Sequence, residues 1–482
     1  MQRRTKIVAT LGPATESPEA IEELIRAGVD VVRLNFSHGS ASEHQARAEL
    51  VREAARKQGR FVAILADLQG PKIRIARFAE GKVQLAKGQR FVLDAALDKH
   101  SGNADAVGID YEALIIDSRP DDVLLLDDGR VELQVLQVEP TRLICEVLCG
   151  GPLSNNKGIN RKGGGLSASA LTDKDREDIR TAAAMQVDYL AVSFPRDAAD
   201  MQLARQLLQQ AGGDAGLIAK IERAETVVDR AVLDGIIEAS EGVMVARGDL
   251  GVEIGDAELV AVQKLIIDRA RALNRVVITA TQMMESMITQ SLPTRAEVFD
   301  VANAVLDGTD AVMLSAETAT GAYPVQTVQA MVRVINGAER HPQAQRSRHR
   351  MDEVFQRIDE TIALSAMYAA NHLHGVKAII SLTESGDTPR LMSRIRSHLP
   401  IYACSGNSRT QHRVALFRGV QPLPFNTEQM SLEELSRRVV AALLERRVVS
   451  HGDYLLITRG DHAHDQGGTN TLRVVQVDDV VR

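Results

Sequence analysis

The segment RLNFSHG places Arg33, Asn35 and Ser37 on one face of an extended chain and Leu34 and Phe36 on the other, because side chains alternate along a strand. AKIER does the same with Lys220 and Glu222. Both segments end apolar runs, as do Asp67 in FVAILADLQG, Asp249 in VMVARGDLG, Thr281 in VVITAT, and Ser315 and Glu317 in AVMLSAE. Arg33 offers a two-pronged donor for phosphate or carboxylate. Glu222 and Asp249 suit a hard divalent cation such as Mg2+ (or Mn2+), which takes one or two carboxylates and completes its shell with water and substrate oxygens. Lys220 beside Glu222 stays protonated, since a neighbouring negative charge favours the ammonium. A metal, fixed cations and no strong nucleophile fit phosphoryl transfer, where catalysis is mostly positioning and charge stabilisation.

Any one of these residues reads equally well as a helix cap or an ion pair; so many on one rim do not. A rival chemistry takes Lys220 as the Schiff-base lysine of a barrel aldolase. It needs a neutral amine, which Glu222 disfavours, and borohydride trapping with a carbonyl substrate separates the two. A non-enzymatic sugar-phosphate sensor built from the C-terminal region alone leaves the rim unexplained. The Arg-Gly-Asp at 247–249 abuts a buried strand and is not a displayed adhesion loop; Gly248 there allows close backbone approach to a ligand.

The elements that position these residues follow one rhythm. Strands KIVAT, VVRLNF and FVAIL alternate with a helix whose face is Ile21, Leu24 and Ile25 and with a helix over 41–57. Beyond residue 170 come helices over 173–186, 197–210 and 226–239, one carrying Leu259, Val262 and Ile266, and helices over 296–306 and 325–338. Between them lie strands YLAVSF, LIAKI, VMVA, VVITA and AVMLS. Eight continuously apolar strands alternating with helices predict a (β/α)8 TIM barrel of class α/β, whose site lies at the carboxyl ends of the strands. The barrel is assigned 1–70 and 167–342, and an all-β lid domain is inserted over 71–166, with Asp127, Asp128 and Gly129 as a hairpin turn. Gly70-Pro71 and Gly163 to Gly165 bracket the lid as hinges. Past the basic stretch RSRHR, residues 343–482 carry a long helix and strands KAIIS, PIYAC, YLLIT and LRVVQV, an open α/β domain.

Composition narrows the function further. The chain has 482 residues, 44% hydrophobic and 25% charged, with a net charge of -7 that gives no reason to expect nucleic acid or an anionic membrane as partner. No run reaches transmembrane length, and the basic-then-apolar start is interrupted by Lys6, Gly12 and Pro13 and reads as a first strand. Cys145, Cys149 and Cys404 make no disulfide framework; they read as small buried hydrophobes of a reducing cytoplasm rather than zinc ligands.

KIVATLGPAT, RLNFSHG, GPKIR, AKIERAE, VARGDLGVE, ATQMMESM and MLSAETATGAYP, in this order over nearly the whole chain, resemble the pyruvate kinase family. The resemblance implies transfer of the phosphoryl group of phosphoenolpyruvate to ADP, giving pyruvate and ATP in glycolysis, in a homotetrameric allosteric enzyme. A barrel aldolase or lyase acting on pyruvate-like substrates stays the alternative. By position it makes Arg33 the phosphate anchor, Glu222 and Asp249 the Mg2+ ligands, the backbone N–H groups of Gly248 and Asp249 the carboxylate site, Lys220 the charge neutraliser and Thr281 the proton carrier. Asn35, His38, Arg74 and the lid's Lys157 become nucleotide contacts. Asn35, Ser37 and Asp67 form the family's monovalent-cation pocket, but Leu68 and Lys72 stand where potassium-dependent relatives have Thr and Glu. A tethered ammonium replaces the ion, so K+ is not required.

SLTESGDTPRL, residues 381–391, is a strand turning into a helix, where Thr383, Ser385, Gly386 and Thr388 are set to cradle a phosphate. An ordinary capped helix is the other reading. The loop matches the family's effector loop. Its Glu384 and Asp387 disfavour a second phosphate, so the expected activator is a sugar or nucleotide monophosphate rather than fructose 1,6-bisphosphate. RGDHAHDQGGTNT is expected to close over the same ligand.

Overall fold

The computed structural model describes residues 3–345, 349–350, 352–425, 432–460 and 468–481. Eight parallel strands close a barrel in sequence order: Lys6–Thr10, Val31–Asn35, Ala63–Asp67, Tyr189–Val192, Gly216–Ile221, Gly242–Ala246, Val276–Ala280 and Ala311–Leu314. The last pairs back onto the first through Lys6 and Ala311. Continuous apolar sequence is what burial on both faces of such strands demands, and the strands are buried almost throughout. Helices Ala41–Lys57, Asp173–Ala184 and Arg295–Asp307 each begin with a reciprocal cap, Ser40 with Glu43, Thr172 with Asp175 and Thr294 with Glu297.

One helical expectation needs correction, and one helix was not expected. The helix expected over 226–239 is split into Glu225–Val228 and Arg230–Glu238, because Asp229 turns extended and its carboxylate caps the N–H of Ala231. A short helix, Arg247–Ile254, also follows strand six directly.

Between strands three and four the chain builds a separate β unit. Arg90–Asp94, Ala106–Gly108, Val123–Leu126, Val131–Val138, Arg142–Cys149 and Ile159–Arg161 form one six-stranded sheet around Phe91, Leu133, Val135 and Cys145. The hairpin at Asp127, Asp128 and Gly129 is present, with φ of 50°, 57° and 81°. Cys145 is buried as expected, but Cys149 is exposed. A register shift opposite Glu132 and Leu133 throws it off the face that regular alternation would give it. The chain leaves the barrel at Gly70, whose φ is 69° and where a Cβ would stand 2.6 Å from that of Ser193. It returns through Gly163, Gly164 and Gly165, at 82°, 76° and 89°.

The C-terminal sheet has five strands in the order Val420–Pro424, Ile401–Ser405, Val376–Leu382, Tyr454–Gly460, Thr469–Gln476, the last antiparallel. Val420–Pro424 was not expected; its prolines are tolerated at the sheet edge. This unit seals the amino-terminal end of the barrel. Val8, Val31, Met244 and Ile278 share one core with Met392, Ile395, Leu416 and Phe417. Across the seam Arg394 donates to both carboxylate oxygens of Asp310, and both side chains are 1% exposed. Asp310 also accepts the N–H groups of Val277 and Arg418, each at 3.0 Å.

Candidate active site

At the other end of the barrel, Lys220 is the hub. Its Nζ lies 2.9 Å from Glu222 Oε1 and 3.4 Å from Asp67 Oδ1, and it donates to Ser193 Oγ at 2.7 Å. Asp67 Oδ2 accepts Arg33 Nε at 2.6 Å, and Arg33 Nη1 donates to Thr10 Oγ1 at 3.1 Å. The strand register sets Asn35 beside Asp67. Glu222 Oε2 accepts the N–H of Phe194 at 2.8 Å, holding that residue at a φ of 54°.

The charges in this chain settle one another. Burial acts most strongly on Asp67 and opposes its ionisation, yet Lys220 and Arg33 hold its carboxyl below the ordinary range. Burial likewise opposes the Lys220 ammonium, but Asp67 and Glu222 outweigh it and keep the amine protonated above its usual range. Glu222 goes the other way. Burial, with repulsion from Asp249, pushes it up to about 7 against the pull of Lys220. Two carboxylates that repel in a buried cleft fit a divalent cation. Among the described residues no group of three or more His, Cys, Asp or Glu side chains is placed to hold a metal ion.

Thr281 and Gln282 take φ of 66° and 55°, a conformation that is strained above all for Thr281, whose Cβ is branched. Arg247 braces them, a role that the reading of its Arg-Gly-Asp tripeptide did not include. It donates to the carbonyls of Ala280 and Thr281 at 3.2 and 2.5 Å and to both oxygens of Asp300 at 2.6 and 2.8 Å. The only signal was an arginine directly after a buried strand. The N–H of Gly248 donates to Thr281 Oγ1 at 2.8 Å, so Thr281 holds the donor that the sequence reading reserved for a carboxylate.

Other expected residues fall outside the cluster. Glu317 accepts the N–H groups of Ser315 and Met284 at 2.6 and 3.4 Å, bracing the loops after strands seven and eight. Asn35 Oδ1 accepts the N–H of Ser37 at 3.2 Å, and His38 is exposed. Arg74 Nη1 donates to the Asn156 carbonyl at 3.2 Å, and Lys157 pairs with Asp127 of the lid hairpin at 2.6 Å. Lys72 is exposed and makes no ion pair among the described residues; it lines a cleft of about 470 Å3 with Gly248, Asp249 and Lys162. In the C-terminal unit Thr383 Oγ1 accepts the N–H of Gly386 at 2.9 Å, and Ser385 donates to Asp387 at 2.8 Å. Thr388 bonds Thr469 at 2.6 Å. The hydroxyls are therefore engaged within the fold, and residues 461–467 of the late loop lie outside the described residues.

A TIM barrel whose strand ends hold a buried lysine between two carboxylates has its charged residues at the end where barrel enzymes carry their active sites. The chain matches the family models "Pyruvate kinase, barrel domain" over residues 2–328 and "Pyruvate kinase, alpha/beta domain" over 360–475. It is 58% identical to pyruvate kinase II of Salmonella typhimurium, over 99% of each chain. It is 57% identical to pyruvate kinase of Haemophilus influenzae, again over 99% of each. A crystal structure of a pyruvate kinase from Cryptosporidium parvum superposes with a TM-score of 0.91 at 34% identity, covering 98% of this chain and 96% of that one. The chain belongs to the pyruvate kinase family, and it is a phosphotransferase. Among the described residues no helix is long and apolar enough to cross a membrane.

Proposed function

We propose that the Arg33–Asp67–Lys220–Glu222 chain of ion pairs carries Mg2+-dependent phosphoryl transfer from phosphoenolpyruvate to ADP. The observation behind this reading is Lys220, buried and held charged between two carboxylates. Arg33 binds the phosphate of the substrate; Asp67 and Thr10 orient its guanidinium through Nε and Nη1. Lys220 neutralises charge that builds on the moving phosphoryl group and on the enolate, a preorganised role that needs no change of protonation. Glu222 and Asp249 would hold Mg2+, which supplies positive charge beside the substrate oxygens. Thr281, strained and already bonded to Gly248, orients the proton donor for the enolate, and substrate carboxylate then competes for the Gly248 N–H. The charged state of Lys220 works against the Schiff-base alternative.

The lid, taken as residues 71–166, closes over the nucleotide held by Asn35, His38 and Arg74, and Lys157 exchanges Asp127 for phosphate. Lys72, free to swing over the cleft, stands in for the monovalent ion beside Asn35, Ser37 and Asp67. Exposed apolar side chains on the barrel, Leu292 and Phe299, and on the C-terminal unit, Ile358 and Tyr368, support the homotetramer. A phosphate monoester at Thr383, Ser385, Gly386 and Thr388 activates the enzyme by displacing Asp387 from Ser385. Pyruvate and ATP formation from phosphoenolpyruvate and ADP, abolished by chelation and restored by Mg2+ in a tetramethylammonium buffer, tests the central reading.

A further inference from the structure

The helix Arg247–Ile254 starts at the rim with Gly248 and Asp249 and ends beneath the lid. Near its end lies Glu253, 6% exposed, whose carboxylate oxygens hold two different parts of the molecule. Oε2 accepts the N–H of Ala224 at 2.8 Å, in the loop that leaves Glu222. Oε1 accepts Asn160 Nδ2 at 3.3 Å, from the lid strand Ile159–Arg161. The carbonyl of Glu253 accepts the N–H of Gly163 at 3.0 Å, the first of the three left-handed glycines by which the lid rejoins the barrel.

Glu225 takes the other side of that turn, accepting the N–H of Gly165 at 3.3 Å and Arg223 Nη1 at 3.1 Å. Arg223 also donates to the carbonyls of Leu166 and Ala168, at 2.7 and 3.0 Å. Gly164 has no room for a side chain: a Cβ would stand 2.0 Å from Glu225 Oε2 and 3.3 Å from Glu253 Oε2. Burial and the charge of Glu225 push the Glu253 carboxyl up to about 7, while Ala224, Asn160 and Arg223 oppose the shift. Lys72 and Asp249 line the same small cavity as Glu253.

We infer that Glu253 is a positioning residue for the transfer reaction, joining the lid strand at Asn160, the glycine hinge at Gly163 and the loop behind Glu222 into one unit. The inference rests on the site reading above. A buried carboxylate satisfied by donors on separate elements fixes those elements relative to one another, and removing one donor leaves an unmet acceptor. Lid movement therefore reaches the Glu222–Asp249 pair through a side chain that touches neither substrate.

The test is Asn160→Asp, an isosteric change that sets a second carboxyl against Glu253. At saturating Mg2+, repulsion lowers kcat/KM for ADP about tenfold relative to the wild-type chain at pH 8, and most of that difference disappears when the two are compared at pH 6, where the two carboxyls share a proton. Asn160→Asp combined with Glu253→Gln places an amide opposite a carboxylate again and restores the activity at pH 8. Amide hydrogen exchange at 163–165 and at Ala224 accelerates in the single variant at pH 8 and returns to normal in the double one. A single variant with unchanged kcat/KM and exchange, or with a pH-independent loss that Glu253→Gln fails to rescue, overturns the inference. A wild-type chain that forms no pyruvate and ATP would overturn the site reading instead. If the single variant does not fold, the double variant decides by itself: wild-type activity supports the pairing, and loss of activity refutes it.

Discussion

Lys220, on the fifth barrel strand, and Glu222, the residue just past that strand's end, hold Nζ and Oε1 2.9 Å from each other among the strand ends. Each leans on a second partner, Lys220 on Asp67 and Glu222 on the Phe194 N–H, so neither is spare. Lys220→Met is expected to lower kcat by about a thousandfold while the KM for phosphoenolpyruvate moves only a few-fold, because its charge serves the transition state more than the ground state. Steady-state kinetics at saturating Mg2+ check this; kcat preserved with a raised KM would make Lys220 an anchor.

Glu222 gives a pH prediction with a definite sign. Its carboxyl is raised from 4.5 to about 7 by burial first, with Asp249 adding to it. The stability linked to this group is fully present below about 4.5 and is lost as pH rises through about 7. A divalent cation binds the ionised form and reverses that loss. Mg2+ is therefore expected to raise Tm more at pH 8 than at pH 6, and apparent Mg2+ affinity falls as pH drops below 7. Equal shifts at both pH values would show that Glu222 is not a ligand.

Lys72 carries the prediction on monovalent ions. The enzyme should retain nearly full activity in a tetramethylammonium salt free of Na+ and K+. Lys72→Glu should cut activity about tenfold or more and be rescued by K+, since a tethered charge is exchanged for a free ion. Wild-type activity that collapses until K+ is added would overturn the substitution of ammonium for ion.

The loop at Thr383 to Thr388 is expected to answer to one phosphate. Titrating a hexose monophosphate, a nucleoside monophosphate and fructose 1,6-bisphosphate at low phosphoenolpyruvate should show activation by a monophosphate. Asp387→Asn, which frees Ser385 from its acidic acceptor, should tighten that response a few-fold. Activation by the bisphosphate alone would contradict the reading.

Much of the barrel was legible because its strands are continuous apolar runs and its helices carry caps such as Ser40 with Glu43. Lys220, Glu222, Asp67 and Arg33 were legible because a period of two and the strand register bring strand ends together whatever the loops do. Arg247 was hidden, since its partners are carbonyls and Asp300, more than fifty residues along the chain in the farthest case. Lys157 lies in the inserted β unit, and its pairing with Asp127 depends on a hairpin whose neighbours periodicity does not specify. The strand Val420–Pro424 escaped notice because prolines count against a strand unless it lies at an edge.

The pairing of Asp310 with Arg394 makes the base of the barrel depend on a residue 84 positions further along the chain. The first strand waits for Ala311 before the barrel has its closing neighbour. Asp310 adjoins that closing strand, while Arg394 belongs to the C-terminal unit. A chain ending between those two residues would leave the Asp310 carboxylate at the barrel floor without its buried ionic partner, so closing the barrel and completing its floor draw on distant parts of the sequence.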